Sequence, residues 1–411
     1  MTTTLETRCC IAGGGPAGMM LGFLLARMGV DIIVLEKHAD FLRDFRGDTI
    51  HPSTLELMYE LGLLEEFLKR PHQRVKQIGG QVGSETIKIG DFTHLSTHCK
   101  FLVLMPQWDF LNFLIEQGKK YSTFQVRMQA EVTDLIEENG RIAGVRAKIP
   151  DGELEVRAAL TVGADGRKSI VRERARLQVT DLGAPMDVLW MRISRRPGDP
   201  GQTLGHAEPG GLLVMIDRED YWQCGFVIAK GAFDEIKKRG IEKFRNDLAR
   251  LEPFWGDRVH ELRDWNDVSL LTVKVDRLER WSRPGLLCIG DAAHAMSPIG
   301  GVGINLAIQD AVATANILGP KLASGSLRDA DLEAVQRRRE FPTRATQKLQ
   351  LTIQNRIIVG VLTSSHPLTV PWPLRLVNDW QVLRRIPARV IGMGFRPEHI
   401  RTPENSRARG A

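Results

Sequence analysis

A glycine cluster near the N-terminus carries the clearest chemical signal in the 411-residue sequence. Gly13, Gly15 and Gly18 have the spacing Gly-x-Gly-x-x-Gly, between a strand-like apolar run and a helix-like run. This spacing permits a sharp turn and a close approach of the backbone to a pyrophosphate, which free N–H groups and the helix dipole attract. Glu36 ends the next strand-like run, where such a unit places a carboxylate for ribose hydroxyls. The pattern predicts a strand–helix–strand unit that binds a dinucleotide.

Two further patches follow strand-like runs later in the chain. They are Gly163-Ala-Asp165-Gly166 and Gly290-Asp291-Ala-Ala-His294. The first patch ends three strand-like segments that begin at Val132 and are separated by Asn139-Gly140 and Pro150-Asp151-Gly152, which are hairpin signals. We therefore expect an antiparallel meander inserted into the α/β domain.

With the three motifs in this order, the chain resembles the single-component FAD-dependent aromatic hydroxylases of the para-hydroxybenzoate hydroxylase type, from about residue 8 to residue 318. The resemblance implies FAD as the cofactor and NAD(P)H as a transient co-substrate without a Rossmann domain of its own. Together with the patterning of the chain, it gives the expected fold class, which is an α/β, Rossmann-like FAD-binding domain with the inserted meander, a sheet-rich substrate domain and a helical C-terminal region.

The resemblance assigns roles to residues that match the family motifs. Asp291 resembles the aspartate that holds the ribityl chain, Arg46 the arginine that meets the pyrophosphate, and Gln107 a glutamine that contacts the flavin. The loop 298–305 is similar to the loop whose backbone lines the flavin ring, and His294 is expected to be structural rather than a base. The candidate cofactor-binding residues are Gly13, Gly15, Pro16, Ala17, Gly18, Glu36, Lys37, Arg46, Gln107, Val132, Asp165, Asp291, Gly303, Ile304 and Asn305.

Substrate-binding residues are expected mainly on strands of the second domain. Pro298 resembles the family proline beside the reacting ring, and the other candidates are Trp190, Arg192, Tyr221, Trp222 and Gln223. Alternation along a half-buried strand explains Trp190 and Trp222 equally well as core residues. No tyrosine follows Tyr221, which argues against a tyrosine relay and a para-hydroxybenzoate-like substrate.

Length and patterning predict three parts in a globular chain that is 43% hydrophobic and 26% charged. We expect a discontinuous FAD-binding domain at residues 1–72, 100–180 and 281–330, a substrate-binding sheet domain at residues 73–99 and 181–280, and a basic helical appendage at residues 331–411. The pattern predicts helices at residues 19–28, 233–251 and 304–318, and strands of the second domain at residues 188–193, 212–216, 222–228 and 270–275.

The net charge of +6 arises in the C-terminal part of the chain. Residues 331–411 hold 14 Lys and Arg against 6 Asp and Glu, whereas residues 1–330 hold 42 against 44. No basic stripe is interleaved with aromatic residues, so no nucleic-acid partner is expected. The five cysteines form no CxxC pair, which indicates buried thiols without a metal or a disulfide in a reducing, cytoplasmic compartment. Glycines and a proline interrupt the uncharged run 9–26, so neither a membrane-spanning helix nor secretion is expected.

The first functional hypothesis is a monooxygenase, in which NAD(P)H reduces bound FAD and O2 adds to give a flavin C4a-hydroperoxide. This species would hydroxylate a small aromatic or heteroaromatic substrate. An FAD-dependent dehydrogenase, desaturase or halogenase of the same fold is an alternative, although the WxWxIP segment of flavin halogenases is missing. A non-catalytic redox sensor is another alternative. Peripheral membrane contact through the basic tail, near Arg356, Arg384 and Arg385, also stays open.

Overall fold

The computed structural model describes residues 2–42, 49–200 and 204–405. Its strands are β1 (Thr2–Ala12), β2 (Ile32–Leu35), β3 (Thr49–Ile50), β4 (Gln73–Val75), β5 (Gln77–Val82), β6 (Glu85–Asp91), β7 (Leu102–Leu104), β8 (Phe124–Arg127), β9 (Glu131–Glu138), β10 (Arg141–Ile149), β11 (Gly152–Gly163), β12 (Val179–Asp181), β13 (Met186–Ser194), β14 (Leu204–Glu208), β15 (Gly211–Asp217), β16 (Tyr221–Ala229), β17 (Ser269–Leu271), β18 (Asp276–Leu278), β19 (Ser282–Arg283) and β20 (Leu286–Cys288). Its helices are α1 (Pro16–Arg27), α2 (Pro52–Glu60), α3 (Leu64–Phe67), α4 (Gln107–Gly118), α5 (Ile170–Arg174), α6 (Phe233–Lys238), α7 (Ile241–Leu251), α8 (Gly303–Ala323), α9 (Asp329–Ile353), α10 (Val359–Thr363), α11 (Trp372–Asp379) and α12 (Arg385–Met393), with a π-helical turn (Gln354–Ile358) between α9 and α10.

A mostly parallel sheet carries the predicted strand–helix–strand unit. Its strand order is β19-β20-β11-β1-β2-β8, and β1 pairs in parallel with both β2 and β11. All four residues of β2 are buried, as expected for a parallel strand covered on both faces. α1 begins at Pro16 rather than at the predicted Met19, because proline suits the first turn of a helix. α8 exceeds its predicted length at both ends.

The predicted antiparallel meander is formed by β9, β10 and β11. Its first turn has Asn139 and Gly140 at φ values of 51° and 77°, the left-handed region that this residue pair favours in hairpins. The third strand of the meander, β11, also pairs in parallel with β1 from Thr2↔Glu153 to Ala12↔Gly163. The end of β11 therefore delivers Asp165 to the edge of the sheet where the glycine turn lies.

The second sheet has the order β17-β13-β16-β15-β14-β5-β6 and is antiparallel except for the β14–β5 pair. One face packs beneath α6 and α7, and the other carries Val188 and Val227 against Ile299 and Ile358. The helix predicted at residues 233–251 is two helices, because Gly240 between them has a φ of 87°, outside the helical region. The strand predicted at residues 270–275 ends at Leu271.

The C-terminal helices extend from the first sheet to the far edge of the second. α9 packs along α8, the π-helical turn reaches the face that holds Ile299, and α11 and α12 lie against the edge strand β6. Within the described residues, none of the helices combines the length and the apolar character needed to cross a bilayer. All five cysteines are buried and unpaired.

Candidate active site

The glycine turn leaves open space at one position and none at the other two. A Cβ built on Gly13, whose φ is 106°, would lie 2.4 Å from the Ala164 carbonyl oxygen, and one built on Gly18 would lie 2.0 Å from the Gly13 carbonyl oxygen. A Cβ on Gly15 would meet nothing within 4 Å. Gly15 also precedes the first turn of α1, which has no side-chain cap and no acidic residue. Uncapped N–H groups beside open space are what a pyrophosphate requires.

Glu36 holds the glycine turn against the end of β2. Its Oε2 accepts a hydrogen bond from the Gly14 N–H at 2.9 Å, and its Oε1 accepts one from the His38 N–H at 3.1 Å. The side chain is buried, whereas the neighbouring Lys37 is exposed. Each carboxylate oxygen accepts two hydrogen bonds, so the predicted ribose contact of Glu36 is compatible with this positioning role.

The structure brings the three sequence motifs together. A Cβ on Gly13 would lie 2.8 Å from the Asp165 Cα, and one on Gly290 would lie 3.1 Å from the Ala17 Cβ. The carboxylate of Asp291 is one-third exposed, and its Oδ2 lies 3.6 Å from Nη2 of Arg167, which follows the first aspartate motif. The exposed carboxylate fits the predicted ribityl contact, which stays a prediction.

The Asp165 carboxylate serves the local turn. Its Oδ2 accepts a hydrogen bond from the Val171 N–H at 3.1 Å, at the start of α5. Burial raises the pKa of Asp165, although hydrogen bonds from the side chain of Ser169 and from the backbone oppose this shift. The carboxylate therefore holds the turn that follows β11, and a direct contact with FAD stays a prediction.

Arg172 ties the two aspartate motifs together, a role that sequence reasoning missed. Its guanidinium donates to the Arg167 carbonyl at 2.6 Å and to the Ala292 carbonyl at 3.4 Å. Asp276, which is fully buried, neutralises it through contacts of 3.2 and 3.3 Å. From the sequence alone, an arginine that follows a turn is expected on the surface. Its partner, Asp276, is about 100 residues away in the chain and is brought close only by the fold.

His294 belongs to a buried ionic network rather than to an open pocket. Its Nε2 lies 2.6 Å from Oδ2 of Asp310, which also accepts a hydrogen bond from the Gly290 N–H at 3.1 Å. Oδ1 of Asp310 accepts from Nε of Arg339 at 2.9 Å. Burial would raise the pKa of Asp310, but the charges and hydrogen bonds of His294 and Arg339 outweigh burial and lower it. This placement agrees with a structural role for His294.

The loop 298–305 presents backbone to open space. Pro298 and residues 299–304 are at least partly exposed, although residues on both sides are buried. Gly300 and Gly301 have φ values of 75° and 61°, and a Cβ on Gly301 would lie 2.9 Å from Oγ1 of Thr49. α8 follows at once, without a side-chain cap or an acidic residue in its first turn. Backbone N–H groups at Gly303 and Ile304 thus face no competing anion in the described residues, which suits a ring that gains negative charge.

The side chain of Asn305 is fully used within the protein, and the predicted backbone contact of Asn305 with the flavin stays a prediction. Its Oδ1 accepts from the His51 N–H and from Oγ1 of Thr54, both at 2.8 Å. Its Nδ2 donates to the carbonyl oxygens of Thr49 at 2.9 Å and Gly301 at 3.4 Å. These four bonds use the full capacity of an amide. The side chain therefore joins the loop to residues 49–54, which leaves only the backbone of Asn305 for a flavin.

His51 links this segment to the C-terminal helix α12. The side chain is buried, and its Nδ1 lies 2.6 Å from the Ile391 carbonyl oxygen, so that Nδ1 donates. Burial lowers the pKa of His51 to about 4, although backbone hydrogen bonds oppose the shift. The ring is therefore neutral at pH 7 and acts as a structural link.

Gln350 on α9 fixes the loop from the other side. Its Oε1 accepts from the Ser297 N–H at 3.2 Å, and its Nε2 donates to the carbonyl oxygens of Ser297 at 2.8 Å and Ile299 at 2.9 Å. These contacts flank Pro298. A glutamine on a polar helix is expected to be exposed to solvent, and for this reason the sequence does not identify Gln350 as a positioning residue.

Replacing Gln350 with alanine is expected to weaken FAD binding about tenfold, because three backbone groups of the loop lose their partner at about 0.5–1.5 kcal/mol each. The dissociation constant from flavin fluorescence titration measures this effect. Gln336→Ala is the matched control, since Gln336 also lies on α9 and bridges backbone groups, but of Glu279 and Trp281. Equal FAD affinity in the two variants would contradict the positioning role.

The candidate substrate residues divide between the two faces of the second sheet. Trp190 lies on the face that packs with Ile299, and the β13–β16 register places Arg192 opposite Gln223 on that same face. The Arg192 guanidinium lies 4.9 Å from the centre of the Tyr221 ring. Trp222 lies on the opposite face, fully buried beneath α7, with its Nε1 donating to Asp199 at 2.9 Å. The structure therefore places Trp222 in the core and argues against its predicted substrate contact.

The remaining cofactor candidates are Gln107, Val132 and Arg46. Gln107 is the first residue of α4 and is partly exposed. Val132 lies on β9, where its side chain packs in the main core. Arg46 lies outside the described residues. The roles of these three residues toward FAD stay predictions.

Fold and site together define an FAD-binding protein. The open position at Gly15, the uncapped first turns of α1 and α8, and the exposed carboxylate of Asp291 fit the pyrophosphate, the flavin ring and the ribityl chain of FAD. Within the described residues, no cluster of His, Cys, Asp and Glu could hold a metal ion.

Comparison with known proteins agrees with this assignment. The model of the FAD binding domain family matches residues 6–348. A 6-methylpretetramide 4-monooxygenase of Streptomyces rimosus is 33% identical over 93% of this chain and 92% of its own length. A rifampicin monooxygenase of Streptomyces venezuelae is 28% identical over 76% of this chain, which spans 63% of that protein. The solved structure of an anhydrotetracycline hydroxylase of Streptomyces rimosus shares the fold, with a TM-score of 0.74, 23% identity, and coverage of 94% of this chain and 76% of that one.

The chain therefore belongs to the family of FAD-dependent aromatic monooxygenases. FAD is its cofactor, and this class uses it with NAD(P)H. Membership confirms the resemblance, the fold class and the enzymatic assignment made from the sequence. It also favours a monooxygenase over the dehydrogenase and the redox sensor that the sequence left open.

Proposed function

We propose that the protein hydroxylates a small, predominantly apolar aromatic substrate, with NAD(P)H as the reductant and O2 as the oxygen donor. The observation that carries the proposal is the packing of Ile299, from the loop beside the proposed flavin position, against the cluster that holds Val188 and Val227 of the second sheet. This contact supports an apolar sheet face next to the proposed position of the flavin ring. Two of its relatives are named for phenols, para-nitrophenol and 2,4-dichlorophenol, and these two names support a phenolic ring.

Two groups of residues prepare the site for this reaction. Bound FAD supplies the oxygen-activating chemistry, which requires that water be excluded from the substrate side. Ile299, Trp190 and the C-terminal residues Ile358 and Leu362 form the apolar wall that does so. Arg192, exposed beside Tyr221 at the end of this wall, is the group that we propose orients an oxygen substituent of the ring.

Turnover under 18-O2 tests the reaction. We expect NAD(P)H oxidation to be slow without an aromatic substrate and to be accelerated by the right compound from a panel of phenols and heteroaromatic compounds. The product formed from that compound should contain labelled oxygen. Oxidised product without label, with exchange against water excluded, would contradict hydroxylation. Peroxide formed in place of product would measure how far the apolar wall fails to protect the site.

Replacing Arg192 with glutamine is expected to raise KM for the stimulating aromatic compound about tenfold, because a charged hydrogen bond contributes about 1.5–3 kcal/mol. The flavin absorbance spectrum of the substrate-free enzyme should stay unchanged. Arg263→Gln is the control, since the Arg263 side chain is 83% exposed and pairs only weakly with Asp267 at 3.5 Å. A KM equal in both variants would remove Arg192 from the substrate site.

A further inference from the structure

Five large apolar side chains are exposed on and between helices α11 and α12. Their exposed fractions are 74% for Trp372, 43% for Leu376, 65% for Trp380 and 63% for both Val382 and Ile386. Single exposed apolar residues are normal, but a group of them marks an interaction site. We call these five residues the tryptophan surface.

The tryptophan surface lies on the outer side of α11 and α12. The inner side of these helices packs against the protein. Trp372, Leu376 and Trp380 are spaced by four residues, which places them on one face of α11 and its C-terminal end. The inner side packs on β6, where the side chain of Asn378 accepts a hydrogen bond from the Lys88 N–H at 2.9 Å. The helices thus cover the edge strand, and no described part of the chain covers the tryptophan surface.

The surroundings of the tryptophan surface are cationic. Residues 366–396 contain five arginines and, as their sole acidic residue, Asp379. Arg375 pairs with Glu85 at 3.1 Å, whereas Arg385 and Arg389 are exposed and have no carboxylate partner among the described residues. Arg389 also lines a cavity of about 620 Å³ together with Arg396, which extends the cationic border.

We propose that the tryptophan surface docks on an anionic lipid bilayer. Tryptophan rings prefer the boundary between headgroups and acyl chains, and arginines beside them pair with lipid phosphates. α11 has eight residues, so it would lie in the interface rather than cross it. A second copy of the chain fits less well, because a twofold contact would bring Arg385 and Arg389 against the same arginines of the other copy.

Flotation of the FAD-loaded protein with vesicles tests the proposal. We expect binding to vesicles of phosphatidylglycerol and phosphatidylcholine at a 1:3 ratio, about tenfold weaker binding to pure phosphatidylcholine, and loss of binding in high salt. The double variant Trp372→Ala/Trp380→Ala should lower the partition coefficient about tenfold or more. Arg385→Gln/Arg389→Gln should lower it by a similar factor and weaken the salt dependence.

Leu270→Ala is the matched control. Leu270 is also an exposed apolar residue, at 42%, but lies on β17 at the opposite edge of the same sheet. Every variant should keep its flavin absorbance, which shows that it is folded. Absence of binding to the anionic vesicles, or equal binding by the tryptophan variant and the control, would overturn the proposal. Self-association that disappears in the tryptophan variant without lipid binding would assign the surface to a second copy and overturn it as well.

Discussion

Replacing Gly15 with valine is expected to weaken FAD binding about a hundredfold or more and to leave the apoprotein folded. A Cβ at this position meets no protein atom within 4 Å, and the φ of −74° is accessible to any residue. The same open space is where the backbone must approach the pyrophosphate. The loss corresponds to about 2.7 kcal/mol or more.

Two further variants separate a cofactor effect from a folding effect. Gly18→Ala should destabilise the apoprotein itself, because the added Cβ would lie 2.0 Å from the Gly13 carbonyl oxygen. Gly360→Val on α10 should alter neither property, since that position is exposed and open as well. The measurements are FAD titration and thermal unfolding of the apoprotein. Gly15→Val with wild-type affinity would show that the pyrophosphate lies elsewhere.

Replacing Asp310 with alanine is expected to cost about 3–5 kcal/mol of unfolding free energy, because a buried ion pair is broken and the partners stay buried. Arg339 would keep Glu398, at 3.3 Å, as its carboxylate partner, and the His294 ring would lose its only hydrogen-bond partner among the described residues. The Gly290 N–H would lose its acceptor too, so the turn that presents Asp291 should loosen and FAD affinity should fall.

The pH dependence gives this prediction a second readout. Since the folded protein lowers the pKa of Asp310, the carboxylate contributes stability above the ordinary aspartate pKa of about 3.9, and the contribution is lost as pH falls through the lowered value. Asp310→Asn should therefore lose stability at pH 7 and show a weaker acid dependence than the wild type. Asp257→Ala, at a highly exposed carboxylate, is the control. Denaturant unfolding that detects no difference between Asp310→Ala and this control would refute the network.

The parts of the site that the sequence predicts are those set by local geometry. Gly13, Gly18 and Glu36 could be recognised because a tight turn and the end of the next strand fix them within a short stretch of chain. The meander was equally predictable, since Asn139-Gly140 determines its hairpin locally. In such cases the physical requirement and the sequence signal lie in the same residues.

The parts that the sequence did not predict depend on partners far away in the chain. Trp222 and Arg192 lie on strands of similar pattern, and only the sheet packing decides which face packs with α7 and which packs with Ile299 of the loop 298–305. The amide of Asn305 is used by residues about 250 positions earlier, and Gln350 by a loop about 50 positions earlier. Polar side chains such as these do not follow the hydrophobic periodicity of the sequence, because they become buried only where a distant part of the chain supplies their hydrogen-bond partners.

The course of α9 has a consequence for building chimeras from relatives of this enzyme. The family match ends at residue 348, inside this helix, yet Gln350 holds the loop 298–305 through hydrogen bonds and Ile358 packs in the apolar wall. A junction at residue 348 would combine the loop 298–305 of one protein with Gln350 of another, although these residues hold each other through hydrogen bonds. Exchanged segments should instead meet after Thr363, in the connection between α10 and α11, so that the loop 298–305, Gln350 and the wall residues Ile358 and Leu362 come from one protein.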